Sequence, residues 1–274
     1  MDFYFIVAPL RSAFISADTV WSQQGTIVGG GNYAGDSMNQ IYYPYGLFVD
    51  NNQTIYIADN QNHRIIAWDY GARNGRVVAG GNGAGDRLDQ LNSPTDVIVD
   101  EKSNSIIICD YGNQRVVRWD LHKGDVQTTV VAGVNGKGDR LDQFDEPRYI
   151  YIDQNYSIYV SDWKNHRVME WILGAKEGII VAGGQGEGNS SRQLSYPEGV
   201  VVDQSGTVYV VDQWNHRVMQ WRKGETHGNV VVGGNNTGNE LKRLHRPVGL
   251  SFDRYGNFYV VEHGNHRVQR FNID

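Results

Sequence analysis

The stretch from residue 197 to residue 221 reads PEGVVVDQSGTVYVVDQWNHRVMQW, and it contains the elements of a unit that the chain repeats. Proline opens a short apolar run that ends in Asp203, and a second apolar run ends in Asp212. A third run begins at Arg217 and ends at Trp221. Runs of β-branched and aromatic residues separated by Gly, Asn and Asp predict β-strands joined by tight turns.

The same pattern occurs five times in the 274 residues, at intervals of 50, 53, 50 and 50 residues. The five units begin at Pro44, Pro94, Pro147, Pro197 and Pro247. The first four units close with a run similar to Val-Ala-Gly-Gly, which is read as a fourth strand. Unit one is therefore predicted to contain strands at 46–49, 55–58, 64–68 and 76–79. No segment shows the 3.6-residue period of a helix. Four-stranded antiparallel units of about 50 residues are typical of β-propeller blades.

The two ends of the chain decide how the ring closes. The last unit stops after its third strand, and residues 26–28 are predicted to supply the missing outer strand. Residues 4–18 align with the first two strands of a unit but lack its hairpin motif, so residues 4–30 are interpreted as a degenerate blade plus the closing strand. An all-β domain spanning residues 1–274 with six blades is favoured, and a five-bladed ring with a loose arm is the alternative.

The motif Asn-His-Arg at residues 62–64 recurs at 165–167, 215–217 and 265–267, and as Asn-Gln-Arg at 113–115. With the preceding Pro-x-Gly…Asp and the following Val-Ala-Gly-Gly, it resembles the NHL-repeat family over residues 26–271. The resemblance implies a propeller, usually six-bladed, that binds protein or RNA and is often attached to ubiquitin-ligase or kinase domains. A related branch, the peptidyl-hydroxyglycine amidating lyases, is enzymatic, so the resemblance implies function only by analogy.

An acidic residue and an Arg recur in every unit and bracket the loop between the second and third strands. Since all units carry the pair, we interpret it as structural, with the intervening Asn in a left-handed turn. The recurrent His residues fall in different blades, which the ring holds apart, so no metal or cofactor is predicted. The glycine-rich connectors are predicted to be flexible, each pinned by one apolar residue. These residues are Ile41, Leu91, Phe144, Leu194 and Leu244.

Positions at which the repeats differ are free for function, and they fall at the start of the innermost strand and at the hairpin tip. Both places are predicted at one end of the propeller, its top face. Aromatic residues and Arg there are typical of binding hot spots, and the alternative is that they pack one blade against the next. The candidate binding residues are Tyr45, Tyr111, Arg148, Tyr149, Trp163, Glu198, Trp214 and His263.

We therefore predict a non-catalytic propeller that binds a protein, peptide or glycan; the resemblance suggests the recognition part of a ubiquitin-ligase-like system. One alternative is an enzyme of the amidating-lyase or lactonase kind, for which Asp96, Arg148, Tyr149 and Glu198 form the available polar set. A second alternative is RNA binding through connector arginines. Neighbouring Asp residues and the net charge of −6 argue against a polyanionic partner such as nucleic acid.

Three further features concern the protein's setting. The single cysteine, Cys109, lies in an apolar run, where it is predicted to be a buried free thiol. No apolar run approaches the roughly 18 residues that a membrane span requires. The start of the chain is apolar but opens with an acidic residue, Asp2, rather than with a basic segment, so no secretory signal is predicted and an intracellular location is favoured.

Deletion of residues 1–30 tests the predicted closure of the ring. We expect the deletion to lower the melting temperature and to promote aggregation, because it removes the outer strand of the last blade and leaves an unpaired sheet edge. Thermal unfolding and size-exclusion chromatography measure both effects. Removal of residues 272–274, which follow the last predicted strand, is the control. An unchanged melting temperature with monomeric elution would contradict the prediction.

Overall fold

The computed structural model describes residues 33–122, 128–234, 243–252, 258–262 and 267–271. In these residues the chain forms five antiparallel sheets, four of them with four strands and one with three, and each sheet follows the order of the chain. The predicted all-β propeller architecture is confirmed. The degenerate blade and the closing strand predicted for residues 4–30 lie outside the described residues.

The strands agree with the repeat pattern. Blade 1 contains β1 (Pro44–Val49), β2 (Ile55–Asp59), β3 (Arg64–Trp68) and β4 (Arg76–Gly80). Blade 2 contains β5 (Asp96–Asp100), β6 (Ser105–Asp110), β7 (Arg115–Asp120) and β8 (Thr128–Ala132). Blade 3 contains β9 (Pro147–Ile152), β10 (Ile158–Asp162), β11 (Arg167–Trp171) and β12 (Ile179–Gly183). Blade 4 contains β13 (Pro197–Val202), β14 (Val208–Asp212), β15 (Arg217–Trp221) and β16 (Asn229–Gly233). Blade 5 contains β17 (Pro247–Phe252), β18 (Phe258–Glu262) and β19 (Arg267–Phe271).

Turn chemistry explains the hairpin between the first two strands of a blade. In blade 4 the carboxylate of Asp203 accepts hydrogen bonds from the backbone N–H groups of Ser205 and Thr207, each at 2.9 Å. Gly206 has a φ of 81°, a conformation that glycine adopts without steric cost. The turn therefore forms locally and sets the register of β13 against β14.

Apolar residues of neighbouring blades form the core, and the connectors contribute to it. The predicted pinning residues Leu91, Phe144, Leu194 and Leu244 are fully buried, and the Phe144 ring lies 4.7 Å from that of Trp171, centroid to centroid. The described connectors, although rich in glycine, are hydrogen-bonded within themselves. Their loops repeat one hydrogen-bonded form, in which a Gln side chain donates to a carbonyl oxygen eight residues earlier.

Blade 1 exposes apolar side chains at positions that other blades bury. Phe48 packs in the core with residues of blade 2, so Leu47 lies on the opposite face of β1. Leu47 is 54% exposed, whereas its equivalents Val97, Ile150 and Val200 are buried. The described residues therefore leave one apolar face of the first blade uncovered.

A buried Asp–Arg pair closes the second hairpin of a blade and also holds the connector. In blade 3, Nε of Arg167 donates to Oδ2 of Asp162 at 2.7 Å, and both side chains are buried. The other guanidinium nitrogens donate to the carbonyl oxygens of Asp139, Arg140 and Gln143 in the preceding connector. The predicted structural role is thus confirmed. The equivalent pairs are Asp59–Arg64, Asp110–Arg115 and Asp212–Arg217.

The buried carboxylate of Asp162 receives two further hydrogen bonds. The backbone N–H of Asp145 donates to Oδ1 at 2.7 Å, and Nδ2 of Asn165 donates to Oδ2 at 2.8 Å. Burial raises the pKa of Asp162 to about 6, and Arg167 is the strongest of the groups that oppose this rise. The Asn was predicted to take the left-handed conformation, and this is wrong. Its neighbour His166 does so, with a φ of 52°, because it caps the 3-10 turn Trp163–Asn165 and redirects the chain into β11.

In the four hairpins that the structure describes, the left-handed residue links its blade to the next one. Nδ1 of His63 accepts a hydrogen bond from the backbone N–H of Ser93 at 3.0 Å. In blade 2 the acceptor is Oε1 of Gln114, and the donor is the backbone N–H of Glu146. In every case the donor immediately precedes the proline that opens the next blade. We call these contacts the interblade hydrogen bonds. The four pairs are His63–Ser93, Gln114–Glu146, His166–Tyr196 and His216–Arg246.

The substitution Arg167→Ala tests the buried pair. We expect it to lower the free energy of unfolding by about 3–5 kcal/mol, because Asp162 then remains buried without its counter-charge and three connector carbonyls lose their donor. The control is Arg140→Ala, since the exposed Arg140 side chain pairs with Asp142 at the surface and should contribute under about 1 kcal/mol. Chemical denaturation measures both. Equal effects of the two substitutions would contradict this role.

Candidate functional site

The hairpin tips lie beside the starts of the innermost strands, as predicted for the top face. The backbone N–H of Lys164 donates to the carbonyl oxygen of Asp145, two residues before β9, at 3.1 Å. The N–H of Trp214 donates to the carbonyl oxygen of Ser195, two residues before β13, at 3.2 Å. Residues of the tips and of the strand starts therefore share one surface.

Three aromatic side chains from two neighbouring blades form a continuous row on this surface. The ring centroid of Tyr196 lies 4.3 Å from that of Trp163 and 5.0 Å from that of Trp214, with tilts of 48° and 45°. Trp163 is half-buried, whereas Trp214 is 53% exposed. We call Trp163, Tyr196 and Trp214 the aromatic row.

Arg148 supports one end of the aromatic row. Its guanidinium carbon lies 4.0 Å from the ring centroid of Trp163 and 5.8 Å from that of Tyr111, which is cation–π geometry. One terminal nitrogen lies 3.3 Å from a carboxylate oxygen of Glu198, and the other lies 3.7 Å from one of Glu146. Glu146 also pairs with Lys164. Charge and stacking together fix the position of the Trp163 indole.

Glu198 is buried beneath Arg148 rather than exposed on the face. Its side chain is 4% exposed, and burial raises its pKa to about 7, which Arg148 opposes. The indole N–H of Trp163 also opposes this rise. The indole N–H of Trp163 nevertheless makes no well-aligned hydrogen bond to any described residue, and neither does Nε of Arg148.

Asp96 and Tyr149 lie next to this charged group. Asp96 is buried, and its carboxylate accepts the backbone N–H of Ile150 from the neighbouring blade at 3.2 Å. Burial raises the pKa of the Tyr149 phenol, and the charges of Glu198 and Asp96 add to this effect. Gly46 leaves room here, since a Cβ would come within 2.3 Å of an Asp96 oxygen. The four polar residues of the enzyme alternative are thus close together.

The remaining predicted site residues have different positions. Tyr45 is 50% exposed in blade 1, and Tyr111 is half-buried beside Arg148. His263 lies outside the described residues. Sequence reasoning missed Tyr196, which connects the two tryptophans. The repeats differ at this position before the proline, which carries Tyr43, Ser93, Glu146, Tyr196 and Arg246, and this variation was the signal that could have identified it.

The side chains that could ligate a metal are dispersed in the described part of the chain. There, no three His, Cys, Asp or Glu side chains are grouped so that they could hold a metal ion. Cys109 is buried, and burial raises the pKa of its thiol. The helices in this part are single 3-10 turns, none long or apolar enough to cross a membrane.

Comparison with known proteins identifies the repeat. The NHL repeat model matches residues 91–119, 194–221 and 244–271. No curated protein sequence matches the chain. A structure of a nidogen–laminin complex is similar, with a TM-score of 0.60, 19% identity, and coverage of 84% of this chain and 75% of the other.

Two further solved structures share the fold. A protein of unknown function from Bacteroides thetaiotaomicron has a TM-score of 0.56 and 16% identity, covering 90% of this chain and 73% of its own. A streptogramin B lyase has a TM-score of 0.51 and 13% identity, covering 89% of this chain and 86% of its own. These identities support a shared fold alone. The chain is a β-propeller that contains NHL repeats.

Proposed function

We propose that this propeller is a non-catalytic binding module and that the aromatic row is the centre of its binding face. The observation that carries the proposal is the exposure of Trp214 beside a Tyr and a second Trp whose positions are fixed. Large exposed aromatic side chains are typical of binding hot spots, since they bury much area for little loss of conformational entropy. The repeats do not require an aromatic residue there, because blades 1 and 2 have Gln61 and Gly112 at the same position.

The row is organised before any partner arrives. Trp163 is held by the Arg148 guanidinium, and Tyr196 by its interblade hydrogen bond to His166. A surface that is already ordered loses little entropy on binding. This arrangement suits a protein, peptide or glycan, each of which can cover aromatic rings. The NHL fold also occurs in binding modules, although the solved structures support only the shared fold.

A nucleic-acid partner is less well supported. Each of two connector arginines pairs with the Asp two residues further along the chain: Arg87 pairs with Asp89, and Arg140 pairs with Asp142. These paired charges cannot neutralise phosphates without giving up their own partners. The net charge of −6 also repels a polyanion such as a nucleic acid.

An enzyme remains the second candidate because Arg148, Tyr149, Glu198 and Asp96 converge below the row. A carboxyl group whose pKa is near 7 is suited to general acid–base chemistry. We favour a positioning role, since Glu198 is buried and its charge serves Arg148, which in turn holds Trp163. Glu198→Gln separates the two functions: a binding module keeps its partner specificity in this variant, whereas an enzyme that uses Glu198 loses turnover.

The substitution Trp214→Ala tests the binding face. We expect the affinity for a captured partner to fall by roughly 1–3 kcal/mol, about 5- to 150-fold, because the exposed ring is lost from the centre of the contact. The free energy of unfolding should change by much less than for a buried Trp, by about 0.5 kcal/mol, since more than half of the Trp214 side chain is exposed and its ring contact is with Tyr196 at the surface. Parallel pull-downs with wild-type and variant bait identify the partner, and calorimetry measures its affinity.

Two controls accompany this test. Tyr70→Ala removes a ring that is 80% exposed and lies between β3 and β4, so it should leave binding unchanged. Trp163→Ala should lower both stability and affinity, because this indole packs against Arg148 and Tyr196. If Tyr70→Ala weakened binding as much as Trp214→Ala, or if Trp214→Ala bound normally, the aromatic row would not be the site.

A further inference from the structure

His166 contacts the middle of the aromatic row in two ways. Its Nδ1 accepts the backbone N–H of Tyr196 at 3.2 Å, and its ring lies 4.7 Å from the Tyr196 ring in an edge-on arrangement. Tyr196 in turn contacts both tryptophans. A change at one imidazole nitrogen therefore acts directly on the residue that joins the two indoles.

This contact requires the neutral form of His166. A nitrogen that accepts an N–H must have a free lone pair, so the ring proton has to be on Nε2. Protonation of Nδ1 would place two N–H groups against each other and remove the acceptor of the Tyr196 N–H. Burial lowers the pKa of His166, and the carboxylate of Glu187 partly opposes this.

Tyr196 depends on its hydrogen bond more than an ordinary loop residue does. The φ of Tyr196 is 55°, which is uncommon for a residue with a side chain. Tyr196 also precedes Pro197, and a proline ring disfavours helical backbone conformations at the residue before it. Surrounding contacts must hold such a conformation. Loss of the interblade hydrogen bond would therefore allow the backbone to relax and carry the Tyr196 ring with it.

The other charged groups around His166 are engaged elsewhere. Glu187 accepts the hydroxyl of Ser195, and Lys164 in the same turn pairs with Glu146. Asp162 and Arg167, which flank the turn, are paired with each other. Glu198, whose pKa is raised to about 7, pairs with Arg148 below Trp163, and His216 follows Trp214 in its turn. Among the described groups that contact Tyr196, His166 is thus the one that changes charge on mild acidification.

We propose that His166 is a positioning residue that makes the aromatic row sensitive to pH, the row being ordered when His166 is neutral and released when it is protonated. This inference rests on the proposed function, which gives the row its role. The sign follows from the lowered pKa: the folded protein resists protonation, so order is complete above about pH 6.5 and is lost as the pH falls through the folded-state value. Partner affinity falls about fivefold across this range, the equivalent of one hydrogen bond.

The chain itself supplies the matched controls. Gln114 makes the equivalent interblade hydrogen bond to Glu146 with a group that does not titrate, so His166→Gln keeps an acceptor and removes the charge change. His216 makes the same bond to Arg246, in the next blade, and burial lowers its pKa as well. His216→Gln therefore controls for a general effect of acid on the hairpins.

The experiment is a fluorine NMR titration of the full chain labelled with 5-fluorotryptophan, from pH 8 to about 5. Trp→Phe variants assign the resonances of Trp163 and Trp214. Trp214 is the reporter, because Glu198, whose pKa is raised to about 7, makes the Trp163 resonance titrate on its own account. In His216→Gln, which removes the imidazole that follows Trp214 in its turn, we expect the Trp214 resonance to shift with a midpoint below 6.5. It should stay constant when His166→Gln is added. Titration of Trp214 that persists in the double variant, or that is already absent in His216→Gln, overturns the proposal.

A second measurement does not depend on any variant. The nitrogen chemical shifts of the His166 imidazole in wild type at pH 7.5 report which ring nitrogen carries the proton. A proton on Nε2 is expected, and a proton on Nδ1 overturns the proposal. Neither measurement needs a partner, so they test the role of His166 separately from the proposed function. Normal binding by Trp214→Ala would refute the proposed function and leave these results in place.

Discussion

The need to satisfy a buried carboxylate organises this propeller. The carboxylate of Asp162 is removed from water, and such a charge is tolerated only when a counter-charge and hydrogen-bond donors surround it. Arg167, Asn165 and the backbone of Asp145 supply them, and they come from the hairpin and from the connector. Each described blade that contains this Asp therefore orders the loop leading into it, and an otherwise glycine-rich segment becomes part of the scaffold.

The same hairpin faces the next blade through its left-handed residue. A His or a Gln there accepts the N–H that precedes the next proline, so one short turn is bonded to the connectors on both of its sides. The exchange of His for Gln at residue 114 keeps the acceptor, which shows that hydrogen bonding rather than charge is what the fold requires. Stability therefore constrains the ends of the turn and leaves its tip free.

The free tip is where the surface chemistry differs between blades. Trp163 and Trp214 come from adjacent blades, and Tyr196 lies between them because the connector and the turn are bonded together. Arg148 and Glu198 complete the support from below, with paired charges that hold Trp163. Trp163 consequently belongs to both scaffold and surface, while Trp214 belongs to the surface.

The sequence by itself determined the strands, the blades and the structural role of the Asp–Arg pair, because strand periodicity, turn residues and internal repetition are local properties of the chain. It also identified most members of the candidate face, since positions that vary among repeats can be found by aligning the chain with itself. Only the tertiary structure decided that Glu198 is buried, that Trp163 is half-covered, and that Tyr196 joins the row. Those features depend on which side chains of different blades meet, about 30 to 50 residues apart in sequence, and such contacts arise from packing around the axis rather than from any local pattern.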